Sequence, residues 1–200
     1  MAKRFAIISS IAMSGLLAVL VYFAFFNSEP HQCTNSRVAG EDLIGGPFEL
    51  VNQLGETVTE QDVITLPTLI YFGFTYCPDF CPLDLTRNLT AVDLAAEMGV
   101  EVTPVFISID PARDTPDVVA DYVAAYDPRL IGLTGTAEQI AVASKAYRTF
   151  YRKNGEGDQD YLMDHSTHSY LMDPSGFKAF FRTDMPPETV AEQIVCFAQN

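Results

Sequence analysis

The chain has 200 residues, 48% of them apolar, and a formal net charge of −14 from 26 acids against 12 lysines and arginines. That length suits one folded domain, and so acidic a balance repels phosphate backbones, which excludes nucleic acid as a partner. The acids read mostly as a solvated surface, with attraction for cationic partners, metal ions included, as the more specific reading.

Residues 5–26 carry no charge and are long enough to cross a bilayer core as a helix. Lys3 and Arg4 precede them and no acid occurs before Glu29. The positive-inside rule therefore keeps the N-terminus in the cytoplasm and exports the rest. A cleaved signal peptide is the alternative. Against it, the run exceeds a usual signal core, and its bulky end, with Tyr22, Phe23, Phe25 and Phe26, offers no small-residue cleavage site. The expected organisation is a cytoplasmic stub and transmembrane anchor over 1–26, a polar tether over 27–46 and a folded domain over 47–200.

In the domain, residues 48–52 and 57–59 flank Gln53-Leu54-Gly55-Glu56, which predicts a hairpin. Residues 67–74 form a short apolar, aromatic-rich run, the mark of a buried central strand. Gly73 near its end points to a close approach of another group to the backbone. The spacing of Leu85, Leu89, Val92 and Ala96 predicts a helix over 83–98, with Pro82 at its first position and Gly99 closing it. A second strand is expected over 102–109, a loop over 110–114, a helix over 116–126 and a short strand over 130–133. Thr136 should cap a helix running to about Phe150. Residues 154–160 read as a polar excursion, followed by strands over 169–172 and 178–181 and a last helix over 186–197. Strands alternating with helices, then a hairpin and a final helix, make an α/β domain of thioredoxin-like plan. A central mixed sheet would be flanked by helices, with the early strands parallel.

The most informative phrase is Cys77-Pro78-Asp79-Phe80-Cys81-Pro82, directly after the central strand. Two thiols four positions apart would sit where a strand turns into a helix. The unpaired amides and positive end of that helix favour thiolate over thiol. Thiolate attacks disulfides and also ligates soft metals. A bridge closing so short a loop would add little stability, so a purely structural disulfide is disfavoured. His165 and His168 fall in Asp164-His165-Ser166-Thr167-His168, beside a strand, and in this fold that loop faces the cysteine loop. Two thiolates and one imidazole would suit Cu(I), with room for a further ligand to Cu(II). Arg113 lies between Asp110 and Asp114 and reads as a structural ion pair in a loop.

Three stretches carry a family likeness: residues 77–82; Ser108-Ile109-Asp110-Pro111-Ala112-Arg113-Asp114-Thr115-Pro116; and Asp164-His165-Ser166 followed by Tyr170-Leu171-Met172-Asp173-Pro174-Ser175-Gly176. On them the chain resembles the Sco/SenC family of copper chaperones for cytochrome c oxidase assembly. The resemblance implies that Cys77, Cys81 and His165 bind one copper ion, as Cu(I) or Cu(II). It prefers His165 over His168, which remains a surface residue or a weak auxiliary ligand. Asp164 is expected to orient His165 from behind, a common arrangement for metal-bound imidazoles; a loop-capping carboxylate is the alternative.

The implied activity is delivery of copper to the binuclear copper A site of cytochrome c oxidase subunit II. It would take place in the periplasm at a bacterial inner membrane, or in an equivalent intermembrane space. Another periplasmic copper chaperone or a thiol–disulfide protein would be a further partner. The competing activity is thiol–disulfide reduction of that subunit's copper-site cysteines, with Cys77 and Cys81 as the redox pair. General thioredoxin-type reductases have a two-residue spacer and a cis-proline. Here the spacer has three residues, and no proline occurs between Arg129 and Pro174. A thiol peroxidase would want Thr three positions before the cysteine, whereas Thr75 is two before Cys77. Cys33 and Cys196 are left over, and in an oxidising compartment a disulfide between them is the natural use.

Overall fold

A computed structural model describes residues 43–157 and 160–199, together with Gly15 and Cys33. The chain divides into one unit, Met1–Cys33, and another, Thr34–Asn200. The anchor expected over 5–26 lies outside the described residues, apart from Gly15, which is helical. Among the described residues no helix is long and apolar enough to cross a membrane. Everything below concerns the second unit.

β1 (Glu49–Asn52) and β2 (Thr57–Thr59) form the expected hairpin. The Asn52 side-chain oxygen accepts from the amides of Leu54 and Glu56 and so builds the turn between them. A four-residue helix, α1 (Glu60–Val63), follows. β3 (Thr68–Gly73) is buried at every position, as a strand covered on both faces must be. α2 (Phe80–Glu97) leads to β4 (Thr103–Ser108), α3 (Pro116–Ala124) and β5 (Ile131–Thr134). α4 (Ala137–Ala146) begins with Thr136, whose hydroxyl accepts from the Gln139 amide while the Gln139 side chain accepts from Thr136 N–H. Then come β6 (Tyr151–Asn154), β7 (Leu162–His165), β8 (Ser169–Asp173), β9 (Gly176–Phe181) and α5 (Pro187–Ala198).

Seven strands make one mixed sheet in the order β2-β1-β5-β4-β3-β8-β9. β3, β4 and β5 run parallel, and β8 is antiparallel to β3. Ala91, Val92 and Ala95 of α2 pack with Val190, Ala191 and Ile194 of α5 in one apolar cluster that includes Leu69 and Leu171. On the alternate residues of β3, Phe72 meets the ring of Tyr147, just past α4, at 5.4 Å between centroids. Burying one such side chain is worth about 1.5–3 kcal/mol, and the central strand contributes several.

Three boundaries differ from the sequence reading. α2 starts at Phe80, so Pro82 is its third residue; the first-turn amides have no partner within the helix, and proline fits there without loss. Cys81 therefore belongs to the helix rather than to the loop. α4 ends at Ala146 rather than near Phe150, and Arg148 takes a positive φ of 53° as the chain leaves it. Residues 151–154 and 162–165, for which the sequence predicts no strand, form a second sheet in which β6 pairs antiparallel with β7. At the other end, Ile44 is buried and the Gly45 amide donates to the Ala146 carbonyl at 3.0 Å, so the last residues assigned to the tether pack onto the domain.

Candidate metal centre

β3 ends at Gly73, and the chain turns at once through Phe74–Asp79 into α2. The Cys77 amide donates to the Phe74 carbonyl at 3.2 Å and tightens this turn. Thr75 fixes it from the side: its amide and hydroxyl both donate to the buried carboxylate of Asp114, at 3.1 and 2.6 Å. At the start of α2 the Cys81 amide donates to Cys77 Sγ at 3.3 Å. Cys81 itself is fully buried, and Cys77 is partly exposed.

The room for Cys81 comes from Gly73. A Cβ there would stand 3.0 Å from Cys81 Sγ, 3.0 Å from the Phe106 ring and 2.9 Å from the Tyr71 ring. The close approach predicted at this glycine is thus the approach of the second thiol.

The third group arrives on β7. His165 Nε2 lies 3.6 Å from Cys81 Sγ, and Nδ1 lies 2.8 Å from the Ser166 carbonyl oxygen. A carbonyl can only accept, so Nδ1 donates in this bond, and Nε2 is the ring nitrogen that faces the thiols. The rings of Tyr71 and Phe74 flank the imidazole edge-on at 6.2 and 5.9 Å. The candidate ligand atoms of Cys77, Cys81 and His165 all lie within 4.8 Å of one another, and among the described residues this is the group that could hold a metal ion.

Electrostatics divides the thiols. The Cys77 thiol is pulled down to about 4, chiefly by hydrogen bonding with Cys81, with further help from His165 and the backbone. The Cys81 thiol is pushed up, first by that same partnership and then by burial. The metal-free pair thus holds one proton and one thiolate, the thiolate on the more exposed sulfur. Behind them Tyr71 is pushed up by burial beside Cys81 and Asp84, and it stays a neutral phenol.

Asp164 makes its hydrogen bonds away from the imidazole. Alternation along β7 turns its side chain away from the face that carries His165. There it accepts from Arg152 Nη2 at 2.8 Å and from Asn154 Nδ2 at 2.9 Å, and these bonds hold its carboxyl below the usual range. The imidazole is oriented by the Ser166 carbonyl instead. A backbone oxygen has no signature in the sequence. His168 stands apart from the cluster, its ring 5.8 Å from Phe180, and burial lowers its basicity. Cys77 and Cys81 are free thiols.

Residues 36–199 match the SCO1/SenC family. The chain is 49% identical to protein SenC of Rhodobacter capsulatus over 193 residues, 93% of this chain and 87% of that one. It is 40% identical over 164 residues to the mitochondrial SCO1 homolog of Homo sapiens, covering 80% of this chain and 54% of that protein, so it spans about half the length of that mitochondrial relative. Among solved structures it resembles Arabidopsis thaliana ScoI with copper bound, with a TM-score of 0.75 and 44% identity over 78% of this chain and 99% of that one. The family match runs through both halves of the thiol–imidazole cluster and through nearly all of the mixed sheet, and the chain belongs to the SCO1/SenC family.

Proposed function

We propose that the chain is a copper-binding protein of cytochrome c oxidase assembly that carries copper to the binuclear copper A site of subunit II. The observation that carries this reading is the convergence of Cys77, Cys81 and His165 Nε2. Two thiolates and a neutral imidazole are a soft donor set suited to Cu(I). Copper is the cargo. Cys77 meets it as a thiolate, Cys81 must give up a proton on loading, and His165 offers Nε2 because Nδ1 is held by the Ser166 carbonyl. Loading therefore releases the Cys81 proton. The positively flanked apolar run over 5–26 supports an inner-membrane anchor, with the domain in the periplasm or an equivalent space.

Anaerobic Cu(I) titration of the reduced chain should saturate near about one equivalent, with thiolate-to-copper charge-transfer bands in the Cu(II) form. The loaded chain should then metallate a copper A domain of subunit II. Binding unaffected by Cys77→Ser and Cys81→Ser would sink the proposal.

The split between the thiols supports a second reading, reduction of the copper-site cysteines of subunit II. An exposed thiolate attacks, and a buried thiol waits to resolve the mixed disulfide. No reduction of an oxidised copper A domain by the dithiol chain at any poise would remove this reading and leave the first intact.

A further inference from the structure

The loop between β4 and α3 holds two adjacent buried residues, Arg113 and Asp114, that reach in different directions. Asp114 reaches the cysteine side. Its carboxylate accepts from the amide and hydroxyl of Thr75 and from the hydroxyl of Ser108. Arg113 makes its hydrogen bonds on the histidine side, although its guanidinium also lies over the rings of Tyr76, at 4.7 Å, and Phe74, at 5.9 Å, in the cysteine turn. Its Nη1 donates to the Tyr161 carbonyl at 3.0 Å, and its guanidinium carbon lies 3.6 Å from the centre of the Tyr161 ring. Its Nε donates to Asp110 at 2.6 Å, and the Tyr161 hydroxyl donates to the other oxygen of Asp110 at 2.6 Å. Tyr161 immediately precedes β7, which ends in His165. At the base of this ribbon the Ser166 amide donates to the Phe150 carbonyl, and the Phe150 amide donates to the Ser166 hydroxyl.

We propose that Arg113 and Asp114 are separate positioning residues for the two halves of the site: Asp114 sets the cysteine turn, and Arg113, through Tyr161 and Asp110, sets the ribbon that delivers His165. Neither touches a candidate ligand atom. The planar guanidinium is suited to this place because it stacks on a ring while donating in its own plane to a carbonyl and a carboxylate. Lysine could replace its charge but not that geometry. Among the described residues β6 and β7 pair as strands with each other and not with the mixed sheet, and beyond the packing of Tyr151 and Met163 on the core the Arg113–Tyr161 attachment adds a polar fixed point that helps set how closely Nε2 comes to the thiols. The Asp110–Arg113 pair is buried, and loss of the arginine leaves a buried carboxylate without its partner. A variant on the tyrosine side therefore accompanies the arginine variant.

The metal-free chain is tested first, because that arm does not depend on the copper reading. Amide hydrogen exchange should accelerate across 151–165 in Tyr161→Ala while 73–81 stays as in the parent, and in Arg113→Met, which also removes the guanidinium from Phe74 and Tyr76, it should accelerate more across 151–165 than across 73–81. Asp114→Asn, which sets a donor against the Thr75 donors, should do the reverse. In the copper-loaded chain, Tyr161→Ala should lose imidazole nitrogen couplings in the Cu(II) resonance spectrum and keep the thiolate charge-transfer bands. Its Cu(I) affinity should drop by about 10- to 100-fold, the loss typical when a ligand's outer support is removed. Unchanged exchange over 151–165 in Tyr161→Ala would overturn the proposal, even if Arg113→Met failed to fold. Equal loosening of both segments in every variant would overturn the separation of the roles. Failure to bind copper at all, with the exchange pattern as expected, would remove the copper reading and leave the positioning roles standing.

Discussion

Cys77 and Cys81 follow a strand buried at every residue, and the second of them sits in the first turn of the longest helix described. His165 closes a two-stranded ribbon whose partner strand is exposed over Arg152–Asn154. One half of the site is thus part of the core. The other half is a separate ribbon that rests on the core through Tyr151 and Met163 and is tied to it by the bonds of Arg113 and Ser166. Local opening is easiest where few buried contacts hold a segment, so the imidazole should be the more mobile partner and the dithiol the fixed one. The comparison suggests why such a site can hold a soft ion and still give it up: one ligand leaves without disturbing the sheet.

The strongest way to break this picture is to remove a thiol. Cys81→Ser or Cys77→Ser should lower Cu(I) affinity by at least about 1,000-fold, roughly 4 kcal/mol, read by competition with a chelator of known affinity. His165→Ala should cost less, about 100-fold or roughly 2.7 kcal/mol, because the dithiol half is undisturbed. Equal losses in the three variants would mean that the two halves are not distinct. Gly73→Ala tests the fixed half without touching a ligand. Its Cβ would crowd Cys81 Sγ, Tyr71 and Phe106, and overpacking of this kind costs about 1–3 kcal/mol of stability, measurable by urea unfolding.

The thiols also make stability depend on pH. Cys77 titrates at about 4 in the folded, metal-free, reduced chain and near the ordinary thiol value when unfolded. Between these values the unfolded state binds more protons, so stability should rise with pH and lose this contribution as pH falls through about 4. Cys81 is shifted the other way. Its contribution should be present below the ordinary thiol value and lost as pH rises beyond it. The pair should therefore give a maximum of stability that disappears on alkylation of both sulfurs. Below pH about 4, iodoacetamide should no longer label Cys77 quickly. The smallest effect belongs to Asp164→Asn. It should leave copper affinity unchanged and leave the imidazole tautomer as it is, read by nitrogen chemical shifts, because Asp164 bonds Arg152 and Asn154 instead.

How much of this could be read from the residues alone follows the same division. The cysteine half was legible. An apolar run, a glycine, two spaced thiols and a helical repeat are local signals, and they placed β3, Gly73 and α2 within two residues or so. The histidine half was not. Tyr151-Arg152-Lys153-Asn154 has no apolar alternation, since past Tyr151 its side chains face solvent or pair across the ribbon, so the residues alone mark no strand there. Arg113 meets Tyr161 across 48 positions, and neither residue's neighbours announce the contact. The ring's true partner, the Ser166 carbonyl, is backbone. The expectation for Asp164 rested on adjacency, and strand alternation overrode it.

The two-sheet arrangement bears on timing as well as strength. In the proposed transfer, an ion held by three groups on one rigid frame would have to break free in a single step. With one group on a separate ribbon, a recipient's donor can enter at the vacated corner while both sulfurs still hold on, and the ion is never bare in water between the two proteins. The rate of hand-over would then follow the opening of the Tyr161 attachment more closely than the equilibrium affinity of the site.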